Sequence, residues 1–244
     1  MTPGTYSLIS ALNARWTQQE SSANNLSGSS IIGHKRQITA FEAFDHALNT
    51  SAGEDPAHQL SAPTVNAQPT AYDWSSGASH PTGNNLDAAI NGKGFFVIQT
   101  AAGPRLTRNG HFSLSATNKL VNDAGLPVMG QQGAITLPPG DASIQPDGTI
   151  QVSGTMVATL SIVAPKQPEL MKSDGGGMFD AGISKTQPVK AALIPGSLES
   201  SNVEVTTEMV GMIQNQRMYD MLTRAFQMQD DSTGKAIQDL SGTA

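Results

Sequence analysis

A chain of 244 residues with a formal net charge of −6, 38% hydrophobic and only 5% aromatic side chains, carries a lean core for its length. With no cysteine, disulfides and thiolate chemistry are excluded, and no basic patch of the kind that follows a nucleic-acid backbone occurs. The N-terminus lacks the basic, apolar and small-residue succession of a cleavable signal peptide, and no apolar run approaches ~18 residues, so neither general secretion nor membrane insertion is expected.

Taken in chain order, residues 5–27 read as an amphipathic helix, because Ile9, Leu12, Trp16, Gln19, Ala23 and Leu26 alternate steps of three and four. Ser27-Gly28-Ser29-Ser30 stops it. Residues 50–83 are dominated by Thr, Ser, Ala, Gly and Pro, a composition that suits an extended connector or irregular arm. From Leu86 the pattern changes to short apolar runs separated by turn residues. Asn91-Gly92 precedes Phe95-Phe96-Val97-Ile98, Asn109-Gly110 precedes Phe112, and Asp147-Gly148 precedes Ile150-Gln151-Val152. This spacing predicts a β domain over 84–165, with Asn91-Gly92 as a hairpin turn. Residues 166–197, with Gly175-Gly176-Gly177 as a flexible point, read as a return connector.

The chain then runs without proline from Leu198 to its end. Met209, Met212, Gln216, Tyr219, Thr223, Phe226, Asp230, Thr233, Ile237 and Leu240 recur at alternating steps of three and four. A helix from about Val203 to Leu240 would be on the order of 55 Å long, more than one small domain covers. The expected class is α+β: N- and C-terminal helices form a coiled-coil-like helical domain, and a mainly-β domain is inserted between them. The domain plan is 1–49 for the N-terminal helix and its following segment, 50–83 connector, 84–165 β domain, 166–197 return, and 198–244 the long helix.

Candidates for chemistry are weak. The five histidines, at 34, 46, 58, 80 and 111, show no ligand spacing. Gly92-x-Gly94 lacks the third glycine of a phosphate loop, and Asp147-Gly148 reads as a turn in preference to one of a catalytic carboxylate pair with Asp141. No catalytic, cofactor or metal residue is assigned.

Three segments together resemble the bacterial flagellar rod and hook axial protein family. Asn24-Asn25-Leu26 leading to Gly33-His34-Lys35 is similar to its N-terminal signature. Ser27-Gly28 stands for the usual Ala-Asn, Ile32 for a common Thr, and His34 for a common Phe. Asn91-Gly92-Lys93-Gly94-Phe95-Phe96, continued by Arg108-Asn109-Gly110-His111-Phe112, resembles the internal motif. Glu199-Ser200-Ser201-Asn202-Val203 matches the C-terminal signature. The length, and the absence of a Tyr/Gln/Pro/Gly-rich insert after the first helix, make the chain most like a proximal-rod subunit.

The resemblance implies a structural, non-enzymatic protein of the flagellar basal body, spanning the periplasm and exported without a cleaved signal. It implies helical assembly into a shaft that transmits torque around an export channel. The expected assembly interface is Ile9, Leu12, Trp16, Leu26, Met209, Met212, Gln216, Tyr219, Phe226, Ile237 and Leu240. Implied partners are copies of itself, other proximal and distal rod proteins and the export apparatus, with basal-body ring proteins as further candidates; nucleic acid and membrane insertion are not among them. Two alternatives stay open: a distal-rod or hook paralogue, and an envelope- or carbohydrate-binding module that uses Tyr72 and Trp74.

Overall fold

The computed structural model describes residues 3–39, 41–43, 65–67, 71–182 and 185–241, and side chains over 7–39, 71–182 and 185–235. The chain divides into two compact units: Met1–Leu26, Gln37–Ala71 and Glu204–Ala244 in the first, Ser27–Arg36 and Tyr72–Val203 in the second.

The first unit contains helix α1 (Pro3–Gly28) and helix α2 (Val205–Ser241). Both are proline-free past their first turns, and α2 carries Glu208 in its first turn, where the helix dipole favours an acid. Among the described residues, the side chains buried on α1 are Ala14, Ser21 and Asn25, and those on α2 are Glu208 and Asn215. The contact between the helices is a hydrogen-bonded one. Asn215 Nδ2 donates to the Arg15 carbonyl at 2.8 Å and to Gln19 Oε1 at 3.0 Å.

The α+β class therefore holds, with one helix near each end, and the coiled-coil description is corrected. A coiled-coil seam needs large apolar knobs in facing holes. Here the buried helix positions are small or polar, while Trp16 is 67% and Met209 52% exposed.

The second unit is mainly β. Its largest sheet has six strands in the order Lys172–Gly175, Met178–Asp180, Gly103–Thr107, Phe95–Thr100, Ile162–Pro165 and Thr186–Pro188. All the neighbouring pairs are antiparallel. Alternation along Phe95–Thr100 sends Phe96 and Ile98 into a core with Phe112, Leu120, Val128, Leu137, Ile144 and Ile150. Phe95 points to the other face and packs with Leu106, Met171 and Phe179. One strand thus serves two apolar clusters, which is why its run Phe95-Phe96-Val97-Ile98 is apolar throughout.

Three local expectations change. Ala88–Asn91 pairs with Ala192–Pro195, so Asn91-Gly92 does not close a hairpin onto Phe95–Thr100; that strand turns through Ala101-Ala102 into Gly103–Thr107 instead. Residues 166–197 supply strands to the six-stranded sheet, together with the partner of Ala88–Asn91. The expected 50–83 connector contains Val65–Ala67, paired with Phe41–Ala43, and Ser79–Pro81, paired with Ser197–Glu199; residues 50–64 and 68–70 lie outside the described residues. Short polar strands of this kind are held by long-range pairing, which no local pattern announces. Asp147-Gly148 does turn the chain, between strands paired Ile144 to Ile150.

Phe96 and Phe112, fully buried, meet edge to face with ring centroids 5.1 Å apart. Phe96→Ala is expected to destabilise the chain by about 3–5 kcal/mol, read as a lowered urea midpoint.

Candidate functional site

The three motif segments, far apart in sequence, meet inside the second unit. Lys35 follows the tight turn after α1, where Gly33 adopts φ +68°. Any side chain on Gly33 would strike the Arg108–Asn109 backbone, because a Cβ would lie 2.6 Å from the Arg108 carbonyl carbon. The Gly33 amide donates to the Glu199 carbonyl at 2.8 Å. This close approach brings the N-terminal segment, the internal motif and the C-terminal segment together.

At that point Glu199 sits between two cations. Lys35 Nζ donates to Glu199 Oε1 at 2.7 Å and Arg108 Nη1 to Glu199 Oε2 at 3.2 Å. Lys35 is 0%, Glu199 2% and Arg108 3% exposed, so all three charges are held out of water. Backbone groups take up more of their capacity: Lys35 Nζ donates to the Ser75 carbonyl at 2.7 Å, Arg108 Nη2 to the Gly92 carbonyl at 2.8 Å, and the Gly77 amide to Glu199 Oε1 at 3.0 Å, while Arg108 Nε is left without a hydrogen-bond partner. Burial pulls the Lys35 pKa down, against the hydrogen bond and charge of Glu199. Burial likewise lowers that of Arg108, again opposed by Glu199.

Asn202 extends the knot. Its Nδ2 donates to the Asp73 carbonyl at 2.9 Å and the Ser75 carbonyl at 3.2 Å, while its Oδ1 accepts the Arg36 amide at 2.8 Å. In the first unit Asn25 does similar work on Gln37: its Oδ1 accepts the Gln37 amide at 2.6 Å and its Nδ2 donates to the Gln37 carbonyl at 2.9 Å. Gly94 and Gly110 are buried, and Gly110 passes the Ala88 carbonyl too closely for any side chain. Phe95, Phe96 and Phe112 fill the two cores. Ser201 Oγ accepts the Val203 amide at 3.2 Å. Asn24, Asn91 and Gly92 are exposed and Val203 is half-buried.

The expected interface residues are placed differently. On α1, Ile9 and Trp16 are exposed, and Leu12 and Leu26 half-buried. On α2, Met209 and Gln216 are exposed, with Gln216 donating to Asp220 at 3.2 Å, and Met212, Tyr219 and Phe226 are half-buried. Ile237 and Leu240 belong to α2, but their side chains lie outside the described residues. The buried line through Glu208 and Asn215 lies one residue before the Met209–Gln216 line read from the sequence. It carries no apolar residue at those two positions, so apolar periodicity points past it.

Asp87, which with Leu86 opens the internal motif stretch, has a bracing role that the resemblance does not assign. Buried to 1% exposure, it accepts from Thr82 Oγ1 at 2.6 Å and Asn84 Nδ2 at 2.9 Å, and its Oδ1 lies 2.8 Å from His111 Nδ1. The Asn84-x-x-Asp87 spacing is the turn signal that marks it. Thr82 Oγ1 also approaches the Gly196 carbonyl, and the arrangement braces a turn. Tyr72 and Trp74 are engaged by Phe179, at centroid distances of 5.3 and 5.1 Å, so they form a cluster instead of a bare stacking platform. Among the described residues no three His, Asp or Glu side chains converge as a metal site, and no helix is long and apolar enough to cross a membrane.

These features define an α+β protein in which a buried charge knot fastens the segments next to both terminal helices to the strands of the second unit. Residues 194–239 match the family described as flagellar basal body rod FlgEFG protein C-terminal, and residues 89–152 the flagellar hook protein FlgE/F/G D1 domain. The flagellar basal-body rod protein FlgF of Rhizobium meliloti is 30% identical over 251 residues, covering 100% of both chains. FlgF of Escherichia coli K12 is 31% identical over 97% of each chain, and the rod protein FlgG of Bacillus subtilis 29% identical over 93% of this chain and 94% of its own. The chain belongs to the flagellar basal-body rod protein family and is a structural component of the basal-body rod.

Two outcomes follow from the knot. Glu199→Gln keeps the shape but leaves two buried cations without an anion, and is expected to cost about 3–5 kcal/mol in urea unfolding. His34, whose Nε2 is buried without a hydrogen-bond partner, has its pKa held below 6.5 by burial and then by the Lys35 charge. The unfolded chain therefore takes up a proton that the folded chain resists. The His34 contribution to stability is intact above pH 6.5 and is lost as pH falls from there towards the lower folded value. Urea midpoints measured across that window are expected to fall less steeply for His34→Phe than for the parent chain.

Proposed function

We propose that the chain is a proximal-rod subunit that assembles helically through outward faces of its terminal helices. In this reading the terminal helices line a shaft around the export channel. The shaft spans the periplasm and transmits torque from motor to hook, no reaction is catalysed, and the chain reaches its place through the flagellar export apparatus without a cleaved signal. Its neighbours are copies of itself and other rod proteins.

The observation that carries this reading is the apolar surface left open on both helices. On α2, Val210, Ile213, Met221 and Met228 are 49%, 55%, 55% and 66% exposed. At 100° per residue these four fall on one side of the helix, roughly opposite the buried Glu208 and Asn215. On α1, Ile9 and Trp16 face outward while Ala14, Ser21 and Asn25 are buried. Large apolar side chains repeated on the open side of a helix, here interleaved with the exposed Arg217 and Arg224, mark an interaction surface. Each large side chain removed from water contributes about 1.5–3 kcal/mol, offset by the cost of ordering and association. A contact between unlike faces does not close on itself and propagates as a helix. The full-length likeness to FlgF of Rhizobium meliloti and Escherichia coli supports the proximal position.

The test is electron microscopy of basal bodies from cells lacking the chain, restored with the parent or with Trp16→Glu or Ile213→Glu. The parent should restore rods. The two exposed-site variants should leave monomer stability within about 0.5 kcal/mol and build few or no rods. Complete rods in cells lacking the chain would sink the proposal.

A further inference from the structure

A groove of about 790 Å³ in the second unit runs beside Trp74 and Phe95, with Pro165 on its wall. Its charged lining residues are Lys93, Lys166 and Arg108, and no acid lines it. Lys93 and Lys166 are exposed, and among the described residues neither is paired with a carboxylate. Arg108 reaches the groove from the buried knot, with its guanidinium carbon 5.1 Å from the centre of the Phe95 ring and its Nε without a hydrogen-bond partner.

The knot behind the groove is unbalanced. Lys35 and Arg108, two cations, share the single Glu199 carboxylate. Surplus positive charge in a poorly solvated wall is weakly screened and is felt in the adjoining cleft. The groove is thus built to receive a carboxylate flanked by flat apolar groups that can lie on indole and proline rings.

The chain itself carries such a segment. Pro138-Pro139-Gly140-Asp141 is exposed at all four residues, and its end is anchored where the Asp141 carbonyl accepts the Ser153 amide at 3.0 Å. The other proline–aspartate turn, Pro146-Asp147, is unsuitable because its carboxylate already accepts from Thr149 Oγ1 at 2.6 Å and the Thr149 amide at 3.0 Å. Asp141 has no such engagement among the described residues.

We propose that the Pro138–Asp141 turn of one copy docks in the Trp74–Phe95 groove of the next, with Asp141 meeting Lys93 and Lys166. The contact rests on the reading of the chain as a self-assembling rod subunit and adds a β-unit contact to the helical one. Donor turn and acceptor groove are different patches, so the contact is heterologous and extends from copy to copy without closing into a dimer.

The chain has two tryptophans, Trp16 and Trp74, so the full-length Trp16→Phe variant reports on the groove through Trp74 alone. Titration with a synthetic peptide of residues 136–142 should give a saturable change in Trp74 emission. Lys166→Glu should weaken that binding about fivefold, and a peptide carrying Asp141→Lys should recover it on the Lys166→Glu chain to within about twofold. No saturable response at millimolar peptide overturns the proposal. Equal binding of a scrambled peptide of the same composition overturns it too, because the groove would then accept any carboxylate.

In cells, full-length Asp141→Lys and Lys166→Glu should each reduce the number of assembled rods, and the double reversal should restore it. Normal rods from both single variants would remove this contact while leaving the rod reading intact. Complete rods without the chain would remove the rod reading, a result independent of the peptide titration.

Discussion

Glu199 between Lys35 and Arg108 is the interaction on which the second unit depends. Three charges withdrawn from water are tolerable only because each has an opposite charge and backbone partners within hydrogen-bond reach. Such a knot contributes little net stability over a well-packed apolar substitute, yet it penalises any arrangement in which one partner is missing. It can form only if the residues that follow α1, the strand end at Arg108 and the residues that precede α2 arrive together. The knot therefore gathers the segments around Lys35, Arg108 and Glu199 at one point of the second unit.

That arrangement also accounts for the glycines around it. Gly33 must admit the Arg108–Asn109 backbone, Gly110 the Ala88 carbonyl, and Gly77 the Ser200 carbonyl. A chain that brings three distant segments to one point crosses itself at short range, and each crossing excludes a side chain. Small residues occupy the crossings, while the buried large apolar residues of this unit gather in two clusters on opposite faces of Phe95–Thr100.

The helices show a different economy. Their buried positions hold small and polar side chains, and their large apolar ones remain open. A subunit that spent its methionines and Trp16 on its own core would have little left to offer a neighbour. The hydrogen-bonded Asn215 contact holds α1 to α2 without drawing on those faces. The same division of labour is found in the β unit, where the knot leaves a cationic groove beside an aromatic cluster.

The sequence by itself determined the helix near each end, the β character between them, and the motif segments that belong to the family. These are local matters: a period of three and four, runs of β-branched and aromatic residues, and turn pairs such as Asp147-Gly148. It named Lys35, Arg108 and Glu199 as motif residues but did not pair them, because 164 positions separate Lys35 from Glu199 and local spacing carries no information across such a distance. Tertiary structure alone decided that Asn91-Gly92 joins no hairpin and that 166–197 completes the sheet. It also decided that Asn215 is the residue of α2 that hydrogen-bonds to Arg15 and Gln19 of α1. Periodicity gives a helix its stripe; which side of that stripe a chain covers with its own residues depends on what packs there, and that is settled only when distant segments meet.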